Sequence, residues 1–357
     1  MDASLTEEQQ ALRDSVARLA ADLAPPSTAQ LPPAGAGESE WAQLAEMGLL
    51  GMRIPESAGG MPVSGVEVVL AAEELGKRLV PLPFIGPAII ASSLLAAGGA
   101  SAEVLESLAS GQRRLAPVLD PTLARFASRG EAGVAWEARG AEAGLVIERD
   151  SGRLLAVRPR ADRLNGVDLT RELRVVEAAA EIIDIGDLGG ALPPEAMERT
   201  LALALAAICG DLVGVMQAAL DLSVAYVSTR VQFGVPVGTF QAVQHLAAEA
   251  QVSTEAARGL AWYAGWAVEE LDAHAALLAA RTAKAYCSEH AREVTETALQ
   301  LHGGVAFTWE HMAHVLVRRA LVGRQTLGDE HAQLDAIAAL RSARSYSLSS
   351  QVGAGVR

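Results

Sequence analysis

The chain has 357 residues, half of them hydrophobic but only 4% aromatic, a composition that favours broad helix packing over a β-sandwich. It carries 29 Lys and Arg against 43 Asp and Glu, a net charge of −14 with no basic run to offset it, so nucleic acid is not expected as a partner. A chain of this length divides into two or three packed substructures.

Helical patterns fill the first region, which we place at residues 1–115. Thr6 and Gln9 have the spacing of a capping box ahead of leucine and valine at helical intervals, and Pro25-Pro26 ends that helix. Further short helices are predicted at about 41–47, 66–79, 89–95 and 102–108. The first region is therefore predicted to be entirely helical.

The second region, residues 116–190, predicts a small β-domain. Residues 144–148 and 154–158 are typical of short strands, but such segments are few. The third region, residues 191–345, begins with a proline pair and predicts long helices at about 195–229, 240–271, 276–302 and 309–340, followed by a tail at 346–357. The predicted fold is mainly α with a small β middle domain.

The sequence gives little support for a membrane protein or for a metal-binding protein. Residues 88–97 and 201–209 are the longest apolar stretches, and both are shorter than the roughly 20 residues that a membrane-spanning helix needs. No secretory signal is visible at the N-terminus, so a cytoplasmic location is expected. Cys209 and Cys287 both lie in helical patterns, which predicts buried, reduced thiols rather than a disulfide or a zinc site.

An arginine beside a glycine turn marks the end of the first long helix of the third region. Residues 230–234 read Arg-Val-Gln-Phe-Gly, and Pro236, Phe240 and Gln241 precede the next helix. Such an arrangement suits an anion. An ordinary helix connection, with the arginine capping a C-terminus, has the same spacing, so the residues alone leave both interpretations open.

The residue pattern of this motif resembles a hallmark of the acyl-CoA dehydrogenase family, Arg-x-x-Phe-Gly-x-Pro followed by Phe-Gln-x-x-Gln. Residues 298–304 and 307–310 are similar to that family's Gln-x-x-Gly-Gly segment and to the start of its last helices. In the first region, residues 44–51, 54–60 and 73–76 are similar in order and spacing to the family's first helical domain. By this resemblance, which covers both helical regions, the chain is identified as a member of the family.

The resemblance implies an N-terminal helical domain, a reduced middle β-domain and a C-terminal four-helix bundle, assembled as dimers or tetramers with FAD between subunits. It assigns the FAD pyrophosphate to Arg230, since a planar guanidinium satisfies phosphate oxygens in pairs. It also implies that a second segment reaches the FAD of a neighbouring subunit. The other residues that it assigns to the cofactor are Phe233, Phe240, Gln241, Gln300, His302, Gly303 and Gly304.

The family's catalytic glutamate has no counterpart at the expected positions. In the family, this residue removes the α-proton of an acyl-CoA thioester while a hydride passes to the flavin. Counted from residues 318–320, its position is Leu327, and in members that carry it on the first helix of the bundle it is Ala204. Glu198 lies six residues before Ala204, about 9 Å along a helix axis. Leucine and alanine cannot accept a proton.

Three acids close to these positions are candidates for a displaced base, Asp211, Asp329 and Glu330. The alternative interpretation is that they are solvated acids at helix ends. Asp211 differs from the other two because it interrupts an apolar helix, where a buried acid requires partners. No catalytic residue is identified from the sequence.

The middle region also departs from the family pattern. The family's Thr-Glu-Pro-type loop and its Trp-containing strand contact the flavin ring, and Trp136 is the only candidate for either. The stretch from 117 to 187 is short for the family's β-domain. His302, Glu310, His311 and His314 form a conceivable metal cluster, but the family pattern already accounts for this segment and no metal is predicted.

These observations lead to the hypothesis of a degenerate subunit in a heteromeric FAD-dependent acyl-CoA dehydrogenase, an α2β2 heterotetramer whose homologous partner supplies the glutamate. Two-gene dehydrogenases of this class resemble those of bacterial steroid side-chain degradation, and a shortened β-domain offers room for a bulky acyl-CoA. The expected partners are that acyl-CoA and an electron-transfer acceptor. The alternatives are a self-sufficient homo-oligomeric flavoenzyme with a displaced carboxylate base, and a non-catalytic scaffold subunit.

Overall fold

The computed structural model describes residues 4–31 and 37–354, which form a helical region, a sheet and a helical bundle in chain order. The first region contains a capping box as predicted, because Thr6 and Gln9 each accept the other's backbone N–H at 3.1 Å. Its helices are α1 (Glu7–Leu23), α2 (Glu38–Glu46), α3 (Gly65–Lys77), α4 (Ser92–Gly98) and α5 (Ala102–Ala109).

One predicted helix of this region has a different start. Residues Phe84–Ala91 form a π-helical segment that runs directly into α4. Pro87 lies inside this segment, and proline has no N–H to give to an α-helical ladder, so a wider turn is a natural accommodation. The apolar residues of this segment are buried against the sheet and the bundle.

The middle region is a twisted six-stranded sheet in the order β4-β3-β1-β2-β6-β5. Strand β1 runs parallel to β3, and every other pair in this sheet is antiparallel. The two predicted strands correspond to β3 and β4. The other four were missed, although β1 and β6 are as long as the two that were predicted. The strands are β1 (Leu115–Leu119), β2 (Gly133–Ala135), β3 (Ala143–Ile147), β4 (Leu154–Val157), β5 (Arg163–Leu164) and β6 (Leu173–Val176).

The third region is a bundle of long helices, with one correction to the sequence prediction. The single helix expected over 309–340 is wrong, because the chain breaks between Gln325 and Glu330, where Leu327 (φ +57°) and Gly328 (φ +94°) are both left-handed. The first strand begins at 115 and α6 at 194, while α10 continues past residue 346. The helices are α6 (Pro194–Thr229), α7 (Gln241–Glu270), α8 (Ala273–His302), α9 (Ala313–Gln325) and α10 (Glu330–Ala354).

Helix α6 lies at the centre of the molecule, in contact with α3, α7, α8 and α9. It packs closely on α3, since a Cβ at Gly214 would stand 2.1 Å from the carbonyl oxygen of Glu73. The sequence was expected to contain no apolar stretch long enough to cross a membrane, but α6 has the length and composition of a membrane span. However, 83% of its most apolar 18-residue window is buried inside the protein, as in a core helix. Cys209 on α6 and Cys287 on α8 are buried free thiols, as predicted.

Candidate functional site

The Arg230 corner, residues 230–241, forms where α6 ends. Arg230 caps the helix, and its N–H donates to the carbonyl of Tyr226 at 2.9 Å. Strands β7 (Val231–Gln232) and β8 (Val235–Pro236) then pair as a hairpin whose turn residues, Phe233 and Gly234, have φ of +53° and +82°. The exposed side chain of Arg230 has no ion-pair partner among the residues that the structure describes.

Aromatic rings lie exposed beside this arginine. Phe233 is 93% exposed, and its ring meets that of Phe240 edge to face, with centroids 6.3 Å apart. Gln241, which begins α7, is also exposed. Because contiguous apolar surface on a folded chain usually marks a contact site, this corner has the character of a surface that another molecule covers.

The second cofactor segment predicted from the sequence, the Gln300 turn (residues 300–304), ends helix α8. Gly303 has a positive φ of +67° with ψ −148°, a backbone conformation that favours glycine. A Cβ on either Gly303 or Gly304 would meet no heavy atom within 4 Å. The Nδ1 atom of His302 lies 2.7 Å from the carbonyl oxygen of Ala298, so this nitrogen carries the proton. The Nε2 atom of His302 is buried and has no hydrogen-bond partner. The turn therefore combines two glycines that have open space around them with a histidine nitrogen that has no hydrogen-bond partner among the described residues.

The fold brings the two predicted cofactor segments together. The ring of Tyr226, one turn before Arg230, stacks on His302 with centroids 4.6 Å apart. His311 packs edge to face on His302 at 4.7 Å, and burial together with the neighbouring His302 and His314 lowers the pKa of His311. These rings stack instead of converging on one point, and in the described part of the chain no group of three metal-ligating side chains could hold an ion.

The two family positions for the catalytic base lie in the protein core. Ala204 is fully buried in the middle of α6. Leu327 is 3% exposed, and its N–H donates to the carbonyl oxygen of Leu123 at 2.7 Å, so a loop of the middle region lies directly against the α9–α10 break. Both positions therefore carry buried aliphatic side chains.

Asp211, the most unusual of the candidate acids, belongs to a buried ion cluster. One of its oxygens accepts from Arg171 at 2.8 Å, and the other accepts from Arg319 at 3.1 Å. Burial alone would raise the pKa of Asp211, but the two guanidinium groups outweigh burial and hold this pKa below its ordinary value. A carboxylate with two permanent cationic partners is a poor proton acceptor.

The same cluster extends to the other regions of the chain. Arg171 also donates to Glu137 at 2.8 Å, and the second oxygen of Glu137 accepts the N–H of Gly86 at 2.7 Å. Arg319 reaches the hydroxyl of Thr170 at 2.8 Å. We call Glu137, Arg171, Asp211 and Arg319 the junction cluster, because it joins the first region, the sheet and the bundle at one buried point.

Asp329 and Glu330, the other two candidates, lie at the start of α10. Asp329 caps that helix by accepting the N–H of Ala332 at 3.0 Å. Arg324 donates to Glu330 at 2.8 Å, and this hydrogen bond overcomes the effect of burial and lowers the pKa of Glu330. Both acids therefore have structural partners at a helix start.

A buried lysine that the sequence reading missed holds the α9–α10 break in place. The Nζ atom of Lys284 donates to the Ser288 hydroxyl at 2.8 Å and to the carbonyl oxygens of Arg324 at 2.7 Å and Gly328 at 2.8 Å. Burial lowers the pKa of Lys284 to about 8. The available signal was its spacing, because Lys284 falls on the core face of α8 between Ala280 and Cys287.

Trp136, the candidate for the family's tryptophan strand, is fully buried. It directly follows strand β2, and the guanidinium carbon of Arg171 lies 5.3 Å from its ring centroid. Its indole N–H has no hydrogen-bond partner. A side chain in this position is a core residue of the sheet, without surface to offer a flavin ring.

FAD fits one part of this chain better than another. The Arg230 corner and the Gln300 turn offer an unpaired guanidinium, an orphaned imidazole nitrogen and two glycines with open space, all suited to a dinucleotide. Trp136, the candidate for contact with the flavin ring, and Leu327, at the family's base position, are both buried.

Comparison with known proteins agrees with this architecture. The family model described as "Acyl-CoA dehydrogenase, C-terminal domain" matches residues 195–340, and the corresponding N-terminal domain model matches residues 6–112. The acyl-CoA dehydrogenase IpdE2 of Mycobacterium tuberculosis is 33% identical over 326 residues, which are 90% of this chain and 93% of IpdE2. IpdE2 of Mycolicibacterium smegmatis is 32% identical, over 92% of this chain and 97% of that protein.

Two solved structures share the fold over nearly the whole chain. A variant of the Tcur3481-Tcur3483 steroid ACAD superimposes with a TM-score of 0.82 at 26% identity, covering 95% of this chain and 99% of that one. The ChsE4-ChsE5 complex from Mycobacterium tuberculosis gives a TM-score of 0.80 at 24% identity, covering 96% and 99%. The chain therefore belongs to the acyl-CoA dehydrogenase family of oxidoreductases, whose cofactor is FAD.

Proposed function

We propose that this chain is the degenerate subunit of a heteromeric acyl-CoA dehydrogenase, in which a homologous partner supplies the catalytic glutamate. The observation that carries the proposal is the buried Leu327, hydrogen bonded to Leu123 where the family has its base. A chain that closes this position while leaving the Arg230 corner exposed is suited to contribute to a site that it shares.

The substrate class in this proposal is a bulky acyl-CoA of the steroid side-chain type. The relative at 26% identity is described as a steroid ACAD of two gene products, and another solved relative is a complex of two different chains. These descriptions support an assembly of two different chains. The proposal is that the assembly is an α2β2 heterotetramer that acts on an acyl-CoA and passes electrons to an acceptor. The small β-domain supports it too, because shorter strands leave more room for a large acyl group.

When bound, FAD would supply the acceptor for the β-hydride, and the partner's glutamate would take the α-proton. The residues of this chain would bind and position the cofactor. Arg230 would hold the pyrophosphate through charge-assisted hydrogen bonds, and Phe233, Phe240 and Gln241 would line the cofactor beside it. Gln300, His302, Gly303 and Gly304 meet the cofactor on the adjacent turn, where the Nε2 atom of His302 accepts a hydrogen bond.

The test is to purify the full chain alone and together with a homologous chain that has an intact glutamate. We expect little bound FAD and no acyl-CoA oxidation from the chain alone, and both from the complex. Full activity with one FAD per chain in isolation contradicts the proposal and favours a self-sufficient flavoenzyme. A stable complex that oxidises acyl-CoA equally well without the Arg230 side chain favours a scaffold.

Within the complex, Arg230→Ala should reduce FAD retention by at least about tenfold, because a buried pyrophosphate loses a charge-assisted partner. Flavin absorbance after gel filtration measures this loss without relying on turnover. Arg160→Ala is the matched control, since Arg160 is an exposed arginine of the sheet that is paired with Asp162 and Glu177. Equal flavin content in both variants contradicts the assignment of Arg230.

A further inference from the structure

A cavity of about 530 Å³ opens between the first region, the sheet and the segment that follows α8. Its walls include Leu31, Arg139, Arg163, Leu164, Arg171 and Trp309. The volume lies within the range of small-molecule sites, roughly 300–1,000 Å³. No residue of the Arg230 corner or the Gln300 turn is among the wall residues, so the cavity is separate from the proposed cofactor surface.

Arg139 is the unusual group in this cavity. It is only 5% exposed, and it has no ion-pair partner among residues 4–31 and 37–354. Its Nη1 atom donates to the carbonyl oxygen of Pro81, but its Nε atom is buried without a hydrogen-bond partner among the described residues. A buried guanidinium without a direct ion pair is costly. Burial lowers the pKa of Arg139, and the nearby Glu172 and Glu40 only partly oppose this shift.

The other charges on the wall leave a positive balance. Arg163 is exposed and unpaired within the described residues, and the Nη1 atom of Arg171 has no hydrogen-bond partner. Of the two wall acids, Asp168 lies 3.6 Å from Arg171, and Glu172 is paired with Arg174 at 2.7 Å. Arg171 is neutralised by Glu137 and Asp211, which lie outside the wall. Arg139 and Arg163 are therefore the wall cations that lack an ion pair among the described residues.

The remaining wall is apolar and accessible. Leu164 is 39% exposed and Trp309 is 54% exposed. Leu31 and Leu169 are half-buried beside them. The cavity wall thus includes a buried cation, an aromatic ring and aliphatic side chains, which is the usual composition of a site for an amphipathic small molecule.

We propose that this cavity binds a small-molecule monocarboxylate, whose carboxylate lies between Arg139 and Arg163 and whose apolar body packs on Trp309 and Leu164. Guanidinium groups recognise carboxylates through paired, charge-assisted hydrogen bonds. The Arg139 guanidinium lines the cavity with donor capacity that the described residues leave unused. The bound carboxylate supplies the direct ion pair that Arg139 lacks among those residues. This site does not depend on the proposed dehydrogenase activity.

The experiment is isothermal titration of the full chain with hexanoate, with hexanamide as the uncharged control and inorganic phosphate as the non-organic oxyanion. We expect saturable binding of one hexanoate per chain, no measurable binding of hexanamide and weaker binding of phosphate. Arg139→Met and Arg163→Gln should each weaken hexanoate binding by at least about tenfold. Arg160→Gln should bind as the unmodified chain does.

Three results would overturn the proposal: equal heats for hexanoate and hexanamide, tighter binding of phosphate than of hexanoate, or unchanged affinity in both arginine variants. Arg163 is exposed, so its substitution tests the site even where Arg139→Met alters folding. Thermal melting of Arg139→Met adds an independent readout. Removing an uncompensated buried charge should keep or raise the melting temperature, and hexanoate should raise it only in chains that retain Arg139.

Discussion

The arginines of the junction cluster and the arginine of the Arg230 corner differ in burial and in ion pairing. Arg171 and Arg319 lie buried among acids from other parts of the chain, and every region of the protein contributes to their environment. Arg230 stands exposed beside a 93% exposed phenylalanine and pairs with no described residue. In the first arrangement each arginine has a carboxylate partner within the chain, whereas in the second the guanidinium is open to another molecule. This contrast distinguishes charges that stabilise the fold from a charge that we propose binds the cofactor.

The largest effect on stability is expected from a substitution in the junction cluster. Asp211→Ala leaves two buried guanidinium groups without their shared counter-charge, so we expect a loss of about 3–5 kcal/mol in the free energy of unfolding. Urea denaturation measures it. Asp221→Ala is the control on the same helix, because Asp221 is largely exposed and its partners among the described residues are Lys77 and Gln217. Similar midpoints for the two variants would show that the cluster contributes little.

A second prediction concerns the closed base position. Leu327→Glu introduces an acid at a site that is 3% exposed, and we expect it to cost about 2–4 kcal/mol without creating acyl-CoA oxidation in the isolated chain. Leu334→Glu is the matched control, since Leu334 on α10 is 54% exposed. Gain of activity in Leu327→Glu would mean that only the carboxylate was missing, and that the flavin pocket is open in solution.

Lys284 allows a pH test of the core beside that position. Its pKa is lowered to about 8 in the folded chain, so both states hold the proton at lower pH and the buried charge weakens the fold there. As pH rises above about 8, the folded state releases its proton before the unfolded state does, and the free energy of unfolding should increase. The slope should approach about 1.4 kcal/mol per pH unit relative to Lys284→Met. Parallel pH profiles for the two proteins would exclude this role.

The smallest effect on stability is expected at the exposed corner. Phe233→Asn keeps a residue that tolerates the left-handed turn conformation (φ +53°) while removing the exposed ring. The free energy of unfolding of the isolated chain should change by no more than about 0.5 kcal/mol. Dissociation of the partner or of FAD should become faster. Unaltered dissociation together with unaltered stability would leave Phe233 without a binding role.

The sequence predicted most of the fold where periodic patterns are long. The capping box at Thr6 and the helices around Leu203 and Ala257 follow directly from helical spacing and from helix start signals. Most strands were missed because a two-residue strand such as β5 has no alternation to detect. The break after Gln325 was missed because its cause is the unusual φ of Leu327, a non-glycine residue that tertiary contacts hold there.

The candidate site was predictable only in part. The segments around Arg230 and Gly303 were predicted from the family's sequence motifs. The fold places these segments side by side, because the ring of Tyr226 stacks on that of His302. The partners of Asp211 were not predictable, because Arg171 and Arg319 lie 40 and 108 residues away in the chain. Pairings over such distances depend on the completed fold rather than on any local pattern.

These long separations have a consequence for folding kinetics. The junction cluster can form only after the sheet, α6 and α9 have come together, which requires closure of loops as long as the one between Asp211 and Arg319. Contacts that form late in folding have little influence on the folding rate but resist the reverse step. We therefore expect the cluster to lower the rate of unfolding and to lengthen the lifetime of the native chain.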